Sequence, residues 1–151
     1  MAGHAPKLEI DASDLAVTIL VTSWHTEITD ALLAGAERSL KAAGNDVYSI
    51  VRVPGAFELP LAAKWAAEEE ADVIIALGVV IQGETPHFEY VCNAATDGLT
   101  RVQLDYGVPI GFGLLTVDNA QQALDRAGLP ESKEDKGAEA VEAAVMMARL
   151  R

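Results

Sequence analysis

The stretch Gly83-Glu84-Thr85-Pro86-His87 places groups that hold an anion next to a residue that moves a proton. Thr85 reads as a helix N-cap and Pro86 as the first helical residue, a well-matched pair at a helix start. The backbone N–H groups of Gly83, Glu84 and Thr85 then surround the positive end of that helix, where a phosphate is favoured. His87 falls in the first turn, and an imidazole can take up and return a proton near neutral pH. The chemistry implied is acid–base work on a substrate whose phosphate is held beside the reacting atoms. The plainer reading of His87 is a partly exposed histidine near a helix start. His87-x-Glu89 superficially matches a zinc deaminase, but that chemistry needs a downstream pair of cysteines. Cys92 is the single cysteine of the chain, so no metal site is expected.

Three other segments offer complementary groups. Ser23-Trp24-His25 puts an indole after an apolar run, where it either stacks on a planar ring or caps the core. His25 reads as a surface or helix-start residue. Pro54-Gly55-Ala56-Phe57-Glu58-Leu59-Pro60 is a turn in which Gly55 lets the backbone bend, so that Ala56 and Phe57 present backbone groups to a heterocycle. It equally suits an ordinary strand-to-helix turn, with Glu58 at the helix's positive end. Gly111-Phe112-Gly113 flanks an aromatic with glycines, for a pocket or for packing. Arg126 can clamp a phosphate through its planar fork or make a surface ion pair.

These groups need elements to carry them. Strands are expected at Leu15–Thr22, Val47–Val53, Val73–Ile81 and Ile110–Val117, each a short, β-branched apolar run. Helices are expected from Thr26 to Ala43, Phe57 to Glu70, Pro86 to Tyr106, Asn119 to Ala127 and Asp135 to Arg149. In the first, Ile28, Leu32, Ala36 and Leu40 recur every four residues, and Gly44 is a good stop. Alternation of strands and helices, with strands that are apolar throughout, implies an α/β three-layer sandwich: a four-stranded parallel sheet flanked by helices on both faces. In such sheets ligands bind beyond the carboxyl ends of the strands. The four segments above lie there, with Val79, Val80 and Ile81 leading into the first of them.

Composition removes several function classes. At 151 residues the chain suits one domain, expected over 15–151 behind a flexible arm of residues 1–14. The net charge of −12 opposes nucleic-acid binding, which needs clustered Lys and Arg. No apolar run approaches the roughly 20 residues that span a bilayer. The first residues lack a charged-then-apolar leader pattern, and one cysteine forms no disulfide framework, so a cytoplasmic protein is expected.

Taken together, the motifs resemble the 6,7-dimethyl-8-ribityllumazine synthase family of riboflavin biosynthesis. The matching stretches are Gly55 to Pro60, Gly78 to Val91, Gly98-Leu99-Thr100, Ala123 to Gly128 and Asp135-Lys136-Gly137, in that order over about residues 15–150. The strand-end motif with its Thr-x-His is the specific one. The resemblance implies a flavodoxin-like fold and condensation of 5-amino-6-(D-ribitylamino)uracil with 3,4-dihydroxy-2-butanone 4-phosphate, without cofactor or metal. It implies that Trp24 stacks on the pyrimidine with Phe112 in the same pocket. Ala56, Phe57 and Glu58 would hold the uracil edge and ribityl chain, and Val79, Val80 and Ile81 would add backbone contacts. Glu84 and Thr85, helped by Gly83 and Arg126, would bind phosphate; His87 would carry the proton, and Lys136 matches a lysine near the site. This chain has Glu84 where many relatives have a neutral or small residue, and Gln82 where they have a basic one. A carboxylate fits beside a phosphate when its side chain points outward and only its N–H is used.

The resemblance further implies a homopentamer with sites shared between neighbours, Phe112 and Arg126 coming from the subunit next to the one that supplies Trp24 and His87. The long segment Gly128 to Lys136, with Pro130, suggests an isolated pentamer rather than a sixty-subunit shell. Two alternatives on the same scaffold are a riboflavin synthase of the archaeal type and a non-catalytic flavin or lumazine carrier. A response-regulator-like domain needs acidic residues at the end of the first strand, where this chain has Thr22-Ser23-Trp24.

Overall fold

The computed structural model describes residues 9–151. Strand and helix alternate: β1 (Val17–Thr22), α1 (Thr26–Ala42), β2 (Ser49–Val53), α2 (Leu59–Glu68), β3 (Val73–Ile81), α3 (His87–Tyr106), β4 (Ile110–Val117), α4 (Ala120–Leu124) and α5 (Lys136–Arg149). The strands form one sheet in the order β2-β1-β3-β4, and every pair is parallel. This is the three-layer α/β sandwich expected from the alternation.

The two faces of the sheet carry separate cores because side chains alternate along a strand. Val17, Ile19 and Val21 of β1 pack with Leu32, Leu40, Val141 and Val145 of α1 and α5. Leu20, between them in sequence, joins Leu59, Ala63, Ala95 and Leu99 of α2 and α3 on the opposite face. β3 lies between β1 and β4, and Val73 to Leu77 have no exposed surface. That double burial is why the strand reads as an unbroken apolar run.

Helices α1 and α5 cross very closely. A Cβ at Gly137 would lie 2.1 Å from the Leu32 carbonyl oxygen, and one at Gly35 would lie 2.3 Å from Asp135 Oδ1. Glycine stands at both positions because backbone meets backbone or a short side chain there.

Element ends differ from expectation for identifiable reasons. β1 starts at Val17 rather than Leu15, since the Ala16 N–H donates to the Asp72 carboxylate at 2.8 Å and not to a strand. β2 starts at Ser49 rather than Val47, because the Asn45 side chain takes up the Val47 N–H at 3.1 Å and closes a turn. A helix from Phe57 would need a donor at Pro60, which has no N–H. The chain instead makes a 3-10 turn over Ala56–Glu58 and enters α2 at Leu59. α2 ends two residues before Glu70, which closes it in the left-handed region at φ 68°. α4 stops at Leu124 rather than Ala127: the Asp125 carbonyl accepts from the Lys133 and Glu134 N–H groups, folding 125–135 back on itself. Gly128 makes that turn at φ 72°, and a Cβ there would meet Asp135 at 2.5 Å. Asp135 is the N-cap of α5 and accepts from the Ala138 N–H at 3.1 Å.

Of the arm expected over residues 1–14, residues 1–8 lie outside the described residues, and the remainder is tied down. Asn45, fully buried, donates to the Ala12 and Leu15 carbonyls at 2.9 and 2.8 Å. Arg149 donates to the Asp11 carbonyl at 2.8 Å and pairs with the Asp14 carboxylate. Among the described residues no helix is long and apolar enough to cross a membrane.

Candidate active site

A cavity of about 640 Å³ opens at the carboxyl ends of β1, β2 and β3. One wall comes from the β1–α1 and β2–α2 turns, with Trp24, His25, Gly55, Ala56, Phe57 and Glu58. The other comes from the end of β3 and the first turn of α3, with Val79, Val80, Ile81, His87, Tyr90 and Val91. Parallel register puts these pieces together: Thr22 pairs with Val53 across β1 and β2, and Val21 with Leu77 across β1 and β3. The three strands therefore run out on the same side.

The aromatic wall is open. Trp24 is 67% exposed and Phe57 is 64% exposed, so neither indole nor ring caps the core. Ser23 fixes the turn beneath them, its hydroxyl donating to the Val53 carbonyl at 2.9 Å. Gly55 does not act as the sequence suggests. Its φ of −157° is ordinary extended backbone, so glycine is not needed for a bend. A Cβ there would sit at an ordinary 3.4 Å from Trp24 Cδ1 and Nε1 and from Glu58 Oε1. The Glu58 carboxylate and the Trp24 indole thus both border Gly55.

Between cavity-lining Ile81 and His87 runs the 82–86 loop, where a phosphate is expected from the sequence. Gln82 still belongs to the sheet edge, its N–H donating to the Val117 carbonyl at 2.9 Å. Among the described residues no hydrogen bond takes up the N–H groups of Gly83, Glu84 or Thr85. The helix start is displaced by one residue: Pro86 occupies the N-cap position, and α3 begins at His87. Thr85 Oγ1 nevertheless accepts the His87 N–H at 3.4 Å, a long bond. Nothing lies within 4 Å of where a Gly83 Cβ would be, so the missing side chain leaves open space at the lip. Glu84 is exposed.

The structure does not bring every expected residue to this cavity within one chain. Phe112 is the third residue of β4, paired with Ala76 in the middle of β3, and stands 48% exposed on the outer edge of the sheet rather than at a carboxyl end. Arg126 follows α4 and donates to the Gln122 carbonyl at 2.8 Å. Lys136 is held between Glu134 and Glu139, at 2.6 and 2.9 Å. The Glu134 carboxylate raises the ammonium pKa above the ordinary lysine range, against the opposing pull of burial. None of the three lines the cavity.

His25 and Tyr90 line it without having been singled out for it, as does Val91, which the sequence offers only as the end of the matching stretch Gly78 to Val91. Tyr90 and Val91 follow His87 by three and four residues, and on a helix those positions share one face. That signal was present in the sequence. His25 carried none, because it reaches the cavity through an unusual backbone conformation.

The profile of the 6,7-dimethyl-8-ribityllumazine synthase family matches residues 14–151. Three relatives are named 6,7-dimethyl-8-ribityllumazine synthase. That of Clavibacter sepedonicus is 58% identical, covering 99% of this chain and 96% of its own. The Kineococcus radiotolerans protein is 60% identical over 93% and 88%, and that of Leifsonia xyli subsp. xyli is 61% identical over 92% and 87%. The chain belongs to the 6,7-dimethyl-8-ribityllumazine synthase family.

Proposed function

We propose that this chain condenses 5-amino-6-(D-ribitylamino)uracil with 3,4-dihydroxy-2-butanone 4-phosphate to 6,7-dimethyl-8-ribityllumazine, releasing phosphate and two waters. One observation supports the reading: Trp24 and His87 line one cavity, and the loop that joins cavity-lining Ile81 to His87 carries three backbone N–H groups, at Gly83 to Thr85, that no hydrogen bond takes up among the described residues. The pyrimidine stacks on Trp24. The Ala56–Glu58 turn and the backbone of Val79 to Ile81 hold its edge. The 5-amino group attacks the ketone, and His87 moves the protons that turn the adduct into an imine with loss of water. Phosphate then leaves into the N–H groups of the 83–85 loop, which stabilise the charge that develops on it. The ribityl-bearing nitrogen closes the second ring, and the second water departs. Positioning of two reactive partners supplies much of the acceleration.

The same reading includes a homopentamer whose sites are completed by a neighbour's Phe112 and Arg126, neither of which lines the cavity of its own chain. The exposed stripe Phe57, Leu61 and Trp65, four residues apart on the α2 side, offers an apolar surface for that neighbour. The folded-back 125–135 segment suits an isolated pentamer.

Purified protein mixed with both substrates will form the fluorescent lumazine faster than the spontaneous reaction, and a rate equal to background would overturn the assignment. Sharing of sites has its own test. His87→Ala and Arg126→Ala are each expected to be strongly impaired alone. Co-assembled in equal amounts they recover about one quarter of wild-type activity, because a head-to-tail ring then contains that share of intact sites. No recovery would place Arg126 in the same subunit's site, or in none.

A further inference from the structure

We infer that Asp135 is a positioning residue that holds Arg126 for the substrate's phosphate. The assignment rests on the synthase reading above, in which Arg126 completes the site of a neighbouring subunit. Arg126 has donors to spare, since a guanidinium carries five N–H groups. One goes to the Gln122 carbonyl at 2.8 Å, and among the described residues no carboxylate pairs with the rest. A half-buried arginine without a carboxylate, in a chain with 23 acidic against 11 basic residues, is available to an anion from outside its own chain.

What fixes that guanidinium is the backbone that carries it. Arg126 lies on the connection between α4 and α5, outside either helix. Ala127 and Asp135 form an isolated antiparallel bridge. It is flanked by bonds from the Gly128 N–H to the Glu134 carbonyl and from the Lys136 N–H to the Arg126 carbonyl, both 3.0 Å. The Asp135 side chain ties that bridge to two helices. Oδ1 accepts the Ala138 N–H at 3.1 Å and caps α5. Oδ2 pairs with Arg38 of α1 at 3.0 Å, and the same Arg38 nitrogen donates to the Gly128 carbonyl at 3.3 Å. A Cβ at Gly35 would lie 2.3 Å from Oδ1, and one at Gly128 2.5 Å from the carboxyl carbon, so the carboxylate is seated against both glycines. Helix α1, the turn and α5 thus meet on one side chain, next to the residue whose N–H holds the Arg126 carbonyl.

The rival role is a helix cap and no more. Loss of a cap loosens the start of α5 whichever substrate is bound. Loss of the tie also lets the 126–128 backbone shift against α1. A guanidinium displaced by about 1 Å no longer presents its planar fork squarely to a phosphate. The two roles therefore differ in which substrate feels the change, and in whether Arg126 must be present for it to be felt.

The experiment is a double-mutant comparison. Asp135→Ala is made in wild type and in Arg126→Ala. Each protein is titrated with inorganic phosphate, followed by its phosphorus resonance, and assayed for kcat/KM with each substrate in turn. In the wild-type background, phosphate binding and kcat/KM for the butanone phosphate both fall about tenfold, a part of what a charged hydrogen bond contributes. KM for the pyrimidine is unaltered. In the Arg126→Ala background the same substitution costs less than about twofold. Should Asp135→Ala not fold, Arg38→Ala carries the test: it frees the Gly128 carbonyl, leaves the cap in place, and costs about threefold with the same bias. An equal loss in both backgrounds, an equal loss for both substrates, or no loss overturns the proposal. Wild type that binds phosphate but forms no lumazine would sink the synthase reading alone, and the phosphate titration would still decide the role of Asp135.

Discussion

His87→Ala is expected to lower kcat roughly 100-fold, with KM for either substrate changed little. The figure sits at the lower end of what a positioned proton carrier contributes, about 10² to 10⁴. Lumazine formation needs orientation as much as proton transfer, and the cavity walls remain in place in the variant. His87 is exposed and contributes to no core, so the substitution leaves Tm unaltered within a degree or two. Steady-state fluorescence with the spontaneous rate subtracted measures the loss, and added imidazole should restore part of it. An unchanged kcat would reduce His87 to a wall residue and leave positioning as the whole of the catalysis.

Gly137→Ala is the substitution expected to cost most in stability. Helix propensity alone predicts the reverse, a gain of up to about 1 kcal/mol on replacing glycine by alanine inside a helix. Geometry decides against it. The new Cβ would sit 2.1 Å from the Leu32 carbonyl oxygen and 3.1 Å from the Ala36 nitrogen, both backbone atoms of α1 that cannot rotate away. The two helices must part, opening the core between Leu32, Ala36, Val141 and Val145. We expect a loss of about 3 kcal/mol or more, the upper range for overpacking. For a chain of this size that is a fall in Tm of about 6–12 °C. Thermal unfolding followed by circular dichroism measures it, and a Tm at or above wild type would show that α1 and α5 do not approach as described.

The order of elements was legible because their causes are local or periodic. β3 is buried on both faces and announces itself as nine consecutive apolar residues with one glycine. The stripes of α1 and α3 repeat at helical spacing. Boundaries were less legible where a side chain far along the chain intervenes: Asp72 claims the Ala16 N–H across 56 residues, and no local pattern signals it. Pro60 did carry a local signal against a helix beginning at Phe57. In the site, residues at strand ends were readable from the topology rule that places ligands there. Phe112 and its flanking glycines lie in the strand expected over Ile110–Val117, near its start rather than at its carboxyl end, and a Cβ at Gly111 would meet the Ala140 carbonyl oxygen at 2.3 Å. The conformation of His25 was not legible at all, since it depends on how the buried first turn of α1 is held.

The three N–H groups at Gly83, Glu84 and Thr85 have a consequence for exchange with solvent. Amides of β1 and β3 sit in the middle of the sheet and surrender their protons only when the protein opens broadly. Those of the 83–85 loop make no hydrogen bond among the described residues and are expected to trade deuterium at close to the rate of an unfolded peptide. An anion seated among them would slow all three together while leaving their neighbours unaltered. The loop thus carries its own isotopic gauge of occupancy, readable by mass or resonance without any chemistry taking place.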